Sequence, residues 1–205
     1  NEPTPTGTCL ILITPDSERT MCTFLGTAGK VSDKDVDANI IKRAELTFLE
    51  GYLWDEGEPK TAFDKAILNS CKVAMSLSDL FCVERHKAQF LELVKNKLDI
   101  IFANEQEILS LIDSKSFDET VAFAKNLNKN VVITRGEKGA VAVNNGEIIE
   151  CSAKKKLNIT DLTGAGDLFA AGYLHGVINH KSIKESLEKG TELSAKIIQK
   201  IGARI

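Results

Sequence analysis

The chain has 205 residues, 43% hydrophobic and 27% charged, which is long enough to bury a core of its own. A net charge of −3 and a pI near 5.7 give no electrostatic footprint for nucleic acid, so no nucleic-acid partner is expected and a small ligand is the default. No stretch approaches the roughly 18 apolar residues that span a bilayer, and the opening Asn1-Glu-Pro-Thr-Pro-Thr6 is not a signal peptide, so no membrane partner and a cytoplasmic location are expected.

In chain order, Cys9–Thr14 and Arg19–Leu25 flank the turn-like Pro15-Asp-Ser-Glu18 and predict a hairpin. From residue 45 onward short apolar runs alternate with amphipathic ones. Strands are expected at Glu45–Leu49, Lys72–Leu77, Asp99–Ala103 and Asn130–Thr134, with helical patterns near 59–70, 84–97 and 104–127 between them. That alternation predicts βαβ units and a parallel sheet. Asn144-Asn-Gly146 then reads as the turn of a hairpin between Ala140–Val143 and Glu147–Ile149. A further strand is expected to lead into a glycine run, followed by helices at about 165–179 and 182–200, the second capped at Gly202. With no internal repeat or linker, residues 1–205 read as one α/β domain. In such sheets ligands sit beyond the carboxyl ends of the strands. The five cysteines, Cys9, Cys22, Cys71, Cys82 and Cys151, are odd in number and form no C-x-x-C pair, so buried, reduced thiols are expected.

The glycine run Asp161-Leu-Thr-Gly-Ala-Gly-Asp167 carries the densest chemical signal. Gly164, Ala165 and Gly166 have almost no side chain, so the free N–H groups of the following helix can point at an anion. Asp167, in the first helical turn, can accept the proton of an incoming hydroxyl as its oxygen attacks phosphorus. The plain alternative is that Asp161 and Thr163 cap a helix and Asp167 favours its dipole. Gly164-Ala-Gly166-Asp-Leu-Phe169 ends in Phe where a dinucleotide fingerprint needs glycine, and the segment near Gly29-Lys30-Val31 lacks two Walker A residues.

Asp161–Gly172 resembles the second signature of the ribokinase-like, or PfkB, carbohydrate and nucleoside kinases. Two more segments match in order. Asn104-Glu-Gln-Glu107 is similar to that family's N-x-x-E motif, although Asn104 with Glu107 is equally a capping box. Thr134-Arg-Gly-Glu-Lys-Gly139 is similar to its T-x-G-x-x-G nucleotide loop, although a simple turn would use the same glycines.

The resemblance implies a three-layer α/β/α ribokinase-like fold with a mainly parallel sheet, and an ATP-dependent kinase using Mg²⁺. Asp167 would be the catalytic base, and Gly164, Ala165 and Gly166 the anion hole. Asn104 and Glu107 would act on Mg²⁺ and phosphate through water. Thr134, Arg135, Gly136 and Gly139 would line the ATP site, and the helix around Thr191 would flank the adenine. Asp161 and Thr163 stand where some members bind a monovalent cation such as K⁺. Whether Arg135 reaches a phosphate or is solvated is open. His86, His175 and His180 match no catalytic position, and surface or packing roles are expected.

The family's sugar-binding Asp and Gly-Gly motif and most of its small β-sheet lid are not recognisable, so the resemblance covers about the last two thirds of the pattern, with residues 1–30 bordering the lid region. The expectation is an N-terminally truncated chain that is weakly active or inactive alone. Leu46–Asp55, Ser76–Cys82 and Lys200–Arg204 are similar to the bacterial adenosine (nucleoside) kinase branch. A purine nucleoside 5′-hydroxyl is the first expected acceptor, a ribose- or fructose-type sugar the second, and a homodimer is left open. A nucleotide-binding module without catalysis and a dinucleotide-dependent oxidoreductase are the alternatives of other classes.

Overall fold

The computed structural model describes residues 3–54 and 57–205. Asn1 and Glu2 of the opening segment, and Asp55 at the end of the Leu46–Asp55 stretch, lie outside the described residues. The chain divides into two compact units, one formed by Asn1–Gly29, Gly136–Ala140 and Glu150–Ile205, the other by Lys30–Arg135 and Val141–Ile149.

The first unit begins with the hairpin β1 (Thr8–Ile13) and β2 (Arg19–Phe24), antiparallel with Leu10 opposite Cys22. Leu10 and Phe24 point to one side and Met21 and Ile13 to the other, and all four are exposed. Cys9 and Cys22 share that exposure, as does Cys71, whereas Cys82 and Cys151 are buried. The expectation of buried thiols therefore fails at three positions, because two of them ride on a ladder with neither face covered. All five are free.

In the second unit, α1 (Ala38–Arg43) leads to β3 (Thr47–Glu50), α2 (Glu58–Asn69), β4 (Val73–Ser76), α3 (Leu80–Asn96) and β5 (Ile100–Asn104). Then come α4 (Glu105–Leu111), α5 (Phe117–Leu127), β6 (Asn130–Thr134), β7 (Ala140–Asn144) and β8 (Glu147–Cys151). The sheet runs β3-β4-β5-β6-β7-β8, with β3 to β6 parallel. Continuous apolar runs suit strands covered on both faces, and Ala74, Met75, Ile101, Val131, Val132 and Ile133 are fully buried. Trp54 closes the core, donating to Gln89 Oε1 at 2.7 Å with its ring edge-on to Phe63. Asn145 and Gly146 both take positive φ, the geometry of a tight two-residue hairpin turn between β7 and β8.

The helical pattern expected across 104–127 is two helices. The polar run Asp113-Ser-Lys-Ser116 breaks it: Asp113 is left-handed at φ 55°, and the Ser114 hydroxyl accepts from the Ser116 amide at 2.9 Å. Short polar side chains here offer the backbone an alternative to the helix ladder. Helix α3 bends at His86, which leaves helical geometry (φ −118°, ψ 21°) and packs its ring on Phe90.

The first unit resumes with α6 (Ala165–Ile178) and α7 (Ile183–Ile197). They approach closely at glycines: a Cβ on Gly190 would sit 2.7 Å from the Phe169 carbonyl oxygen. Tyr173 and Leu187 are fully buried. His175 and His180 are exposed.

Candidate active-site turn

The strand expected before the glycine run does not form. The backbone of that approach is satisfied elsewhere: Thr160 N–H donates to the Ile198 carbonyl at 2.8 Å and Leu162 N–H to Ser17 at 3.3 Å. Ser17, in the β1–β2 turn, also donates its hydroxyl to the Ile159 carbonyl at 2.9 Å. An irregular segment thus enters α6 anchored by a helix end and a hairpin turn.

Gly164 is the N-cap of α6, left-handed at φ 78° and ψ 4°, and gives no side-chain cap to the helix. A Cβ there would also press on Ala203 at 3.1 Å. Ala165 N–H donates to the Leu162 carbonyl at 3.3 Å, so of the expected anion hole it is the amides of Gly166 and Asp167 that helix geometry leaves without an internal acceptor. Gly166 is exposed, and a Cβ on it would meet nothing within 4 Å. Asp167, in the first turn, is also exposed. The turn therefore presents two N–H groups, the positive end of a 14-residue helix and an accessible carboxylate.

Asp161 and Thr163 do not cap α6. Asp161 is 1% exposed; its Oδ1 accepts the Thr163 amide at 2.8 Å and hydroxyl at 2.6 Å, and its Oδ2 accepts the Gly202 amide at 2.9 Å. Burial alone would raise this carboxyl, but the hydrogen bonds from Thr163 and Gly202, with the charge of Arg19, hold it below the ordinary range. Gly202 accordingly is not a helix cap. Helix α7 already ends at Ile197, with Ile198 as its C-cap, and Gly202, at φ 90°, turns its N–H onto Asp161.

In the other unit, Asn104 caps α4 reciprocally. Its Oδ1 accepts from Glu107 N–H at 2.8 Å, while its own N–H and side-chain amide donate to the Glu107 carboxylate at 2.8 and 2.6 Å. Glu107 is 4% exposed. Burial pushes its carboxyl up to about 7, opposed by the Asn104 amide and reinforced by the charge of Asp79. A buried oxygen donor with a displaceable proton suits a hard divalent cation. Among the described residues no group of three or more His, Cys, Asp or Glu side chains is placed to hold a metal ion.

Thr134 ends β6, level with Asn104 in the parallel register. Gly136 and Gly139 both take positive φ, and Gly139 N–H closes the turn onto the Gly136 carbonyl at 3.0 Å. Arg135 is neither solvated nor unpaired. It grips Glu105 through Nε (2.9 Å) and Nη2 (3.3 Å) and lies over the Phe117 ring at 3.5 Å. Thr191 is 7% exposed and donates its hydroxyl to Cys151 Sγ. That partner, Cys151, lines an open cleft of about 640 Å³ with Lys154, Lys184, Lys189 and Glu192, while Thr191 itself is not part of the lining.

Sequence reasoning missed the roles of Glu105, a variable position inside the Asn104–Glu107 segment, and of Phe117, which belongs to no motif; both meet Arg135 only through β5–β6 register and helix placement. It also missed Ser78, a non-glycine residue at φ 76° beyond β4, whose hydroxyl donates to Glu50 at 3.2 Å and accepts from Tyr52 N–H at 3.2 Å. This left-handed backbone lies at a strand's carboxyl end, and although Ser78 falls inside the Ser76–Cys82 stretch, nothing in that stretch signals the positive φ.

Among known structures, adenosine kinase from Sinorhizobium meliloti superposes with a TM-score of 0.94 at 36% identity, over 98% of this chain and 63% of that one. Adenosine kinase from Dictyostelium discoideum is 29% identical over 221 residues, covering 98% of this chain and 64% of its own length. The chain thus spans less than two thirds of either relative. A putative ribokinase II from E. coli shares the fold at a TM-score of 0.88 and 18% identity, covering 98% of this chain and 67% of that one. The architecture is the ribokinase-like α/β fold with a mostly parallel central sheet. The sequence pattern described as pfkB family carbohydrate kinase matches residues 1–205, and the chain belongs to that family.

Proposed function

We propose that the chain carries the catalytic turn of an ATP-dependent kinase that phosphorylates a hydroxymethyl group of a nucleoside, adenosine-like, with Asp167 as general base. The observation that carries this reading is the N-terminus of α6: an uncapped helix end, open space above Gly166, and an exposed carboxylate one residue on. The acceptor is drawn from the adenosine kinases of Sinorhizobium and Dictyostelium, to which the chain is similar.

In this reading Asp167 accepts the proton of the acceptor hydroxyl as its oxygen forms a bond to the γ-phosphorus. The bond from that phosphorus to the β,γ-bridging oxygen breaks, and ADP leaves. The amides of Gly166 and Asp167 hold the negative oxygens as charge spreads over them. Asn104 and Glu107 would hold a hydrated Mg²⁺, which when bound would neutralise phosphate charge. Thr134, Gly136 and Gly139 shape the nucleotide loop, and α7 around Thr191 flanks the adenine. Asp161 and Thr163 anchor the turn to Gly202, and a K⁺ ion near them would act on the same anchor.

A sugar hydroxyl is the second reading, favoured by the carbohydrate-kinase description of the family. Incubating the protein as its gene encodes it with Mg²⁺-ATP and adenosine, ribose or fructose in turn distinguishes them. The account expects AMP to accumulate fastest. A sugar phosphate instead would shift the acceptor, and ATP binding without any transfer would leave a nucleotide-binding module.

A further inference from the structure

The bidentate contact of Arg135 with Glu105 has a consistent architectural setting. Asn104 and Thr134 are the last paired residues of β5 and β6, directly opposite one another. Glu105 and Arg135 are each the next residue along the chain, so their backbones leave the sheet at the same level. The guanidinium meets the carboxylate with two N–H groups, at 2.9 and 3.3 Å, the fork geometry that Lys cannot reproduce. Its flat face rests on Phe117, the first residue of α5, at 3.5 Å. The two side chains are only 20% and 24% exposed, so water screens the pair less than it would a surface ion pair.

These contacts take up the Nε–Nη2 edge and one face of the guanidinium, and that edge is one of the two with which an arginine can grip a phosphate. They also tie together two segments that the proposed kinase reaction needs at fixed spacing: the first turn of α4, bearing Asn104 and Glu107, and the end of β6 with Thr134. From this geometry, and resting on the kinase reading above, we propose that Arg135 is a positioning residue. It clamps the start of the nucleotide loop to the N-terminus of α4 through Glu105 and Phe117, and it does not itself ligate phosphate. Arg135 belongs to the loop because it fixes the loop.

A double-mutant cycle on the whole chain tests this, with Mg²⁺-ATP affinity measured by titration calorimetry and melting temperature measured alongside. A clamp predicts that Arg135→Gln and Glu105→Gln weaken ATP binding alike, by about tenfold, and that the double variant is no weaker than either. Arg135→Lys, which keeps charge but loses fork and stacking, should recover only part of the affinity. If Arg135→Gln weakens binding while Glu105→Gln does not, Arg135 is a phosphate ligand and the inference falls. If the melting temperature drops in both variants with ATP affinity unmoved, the pair is only structural and the inference also falls. Absence of ATP binding by the unaltered chain would overturn the kinase reading and the inference together, a result distinct from the other two.

Discussion

A methyl group added at Gly166 would meet nothing within 4 Å, so nothing in the protein requires glycine there. Helix propensity favours alanine over glycine by up to about 1 kcal/mol, and in the proposed reading the missing side chain leaves room for the transferred phosphate. Gly166→Ala should therefore leave the melting temperature unchanged or raised while phosphoryl transfer falls about tenfold or more, measured on one preparation. A parallel loss of stability and activity would contradict that division. Glu107 gives a second residue-level prediction. Its folded carboxyl keeps a proton up to about 7, whereas the unfolded one loses it near the ordinary 4.5. The folded state thus binds more protons between those values, so this group's contribution to stability falls as pH rises through the window and is flat above it. Urea unfolding at pH 5 and pH 8 should show a loss on the order of 2 kcal/mol that Glu107→Gln abolishes. At this scale the motif residues are legible because small residues and a carboxylate at a helix start have few other uses. The partners of Arg135 are not, because Glu105 and Phe117 are ordinary helix-start residues until β5 and β6 align.

Among the elements, strands β4, β5 and β6 stand within two residues of their expected ends because uninterrupted apolar runs have no other place than a covered sheet. Two of the misplacements share one cause. The segment before the glycine run finds its hydrogen bonds on Ile198 and Ser17 rather than on a neighbouring strand, and Gly202 serves Asp161 rather than α7. Both outcomes depend on contacts distant in sequence, which periodicity does not encode. The α6–α7 packing yields a third prediction. A side chain on Gly190 would stand 2.7 Å from the Phe169 carbonyl, a backbone atom that cannot rotate away. Gly190→Ala should cost about 2 kcal/mol in chemical denaturation, despite better helix propensity. A neutral or stabilising effect would show that the two helices can separate without loss.

For the whole molecule, the alternation of short apolar and longer amphipathic segments marks the βαβ class, and the order of Asn104–Glu107, Thr134–Gly139 and Asp161–Asp167 marks the family to which the chain belongs. No helix among the described residues is long and apolar enough to cross a membrane. The turn's carboxylate at position 167 stands where a dinucleotide pyrophosphate would need to approach, so NADH should not bind in a fluorescence titration that detects ATP analogues. In the proposed mechanism Asp167 removes the proton of the attacking hydroxyl. Turnover and ATP affinity of Asp167→Asn, measured in the protein as its gene encodes it, test this most directly. A general base at this position means that kcat falls about a thousandfold with ATP affinity largely kept, whereas unchanged turnover would rule that role out.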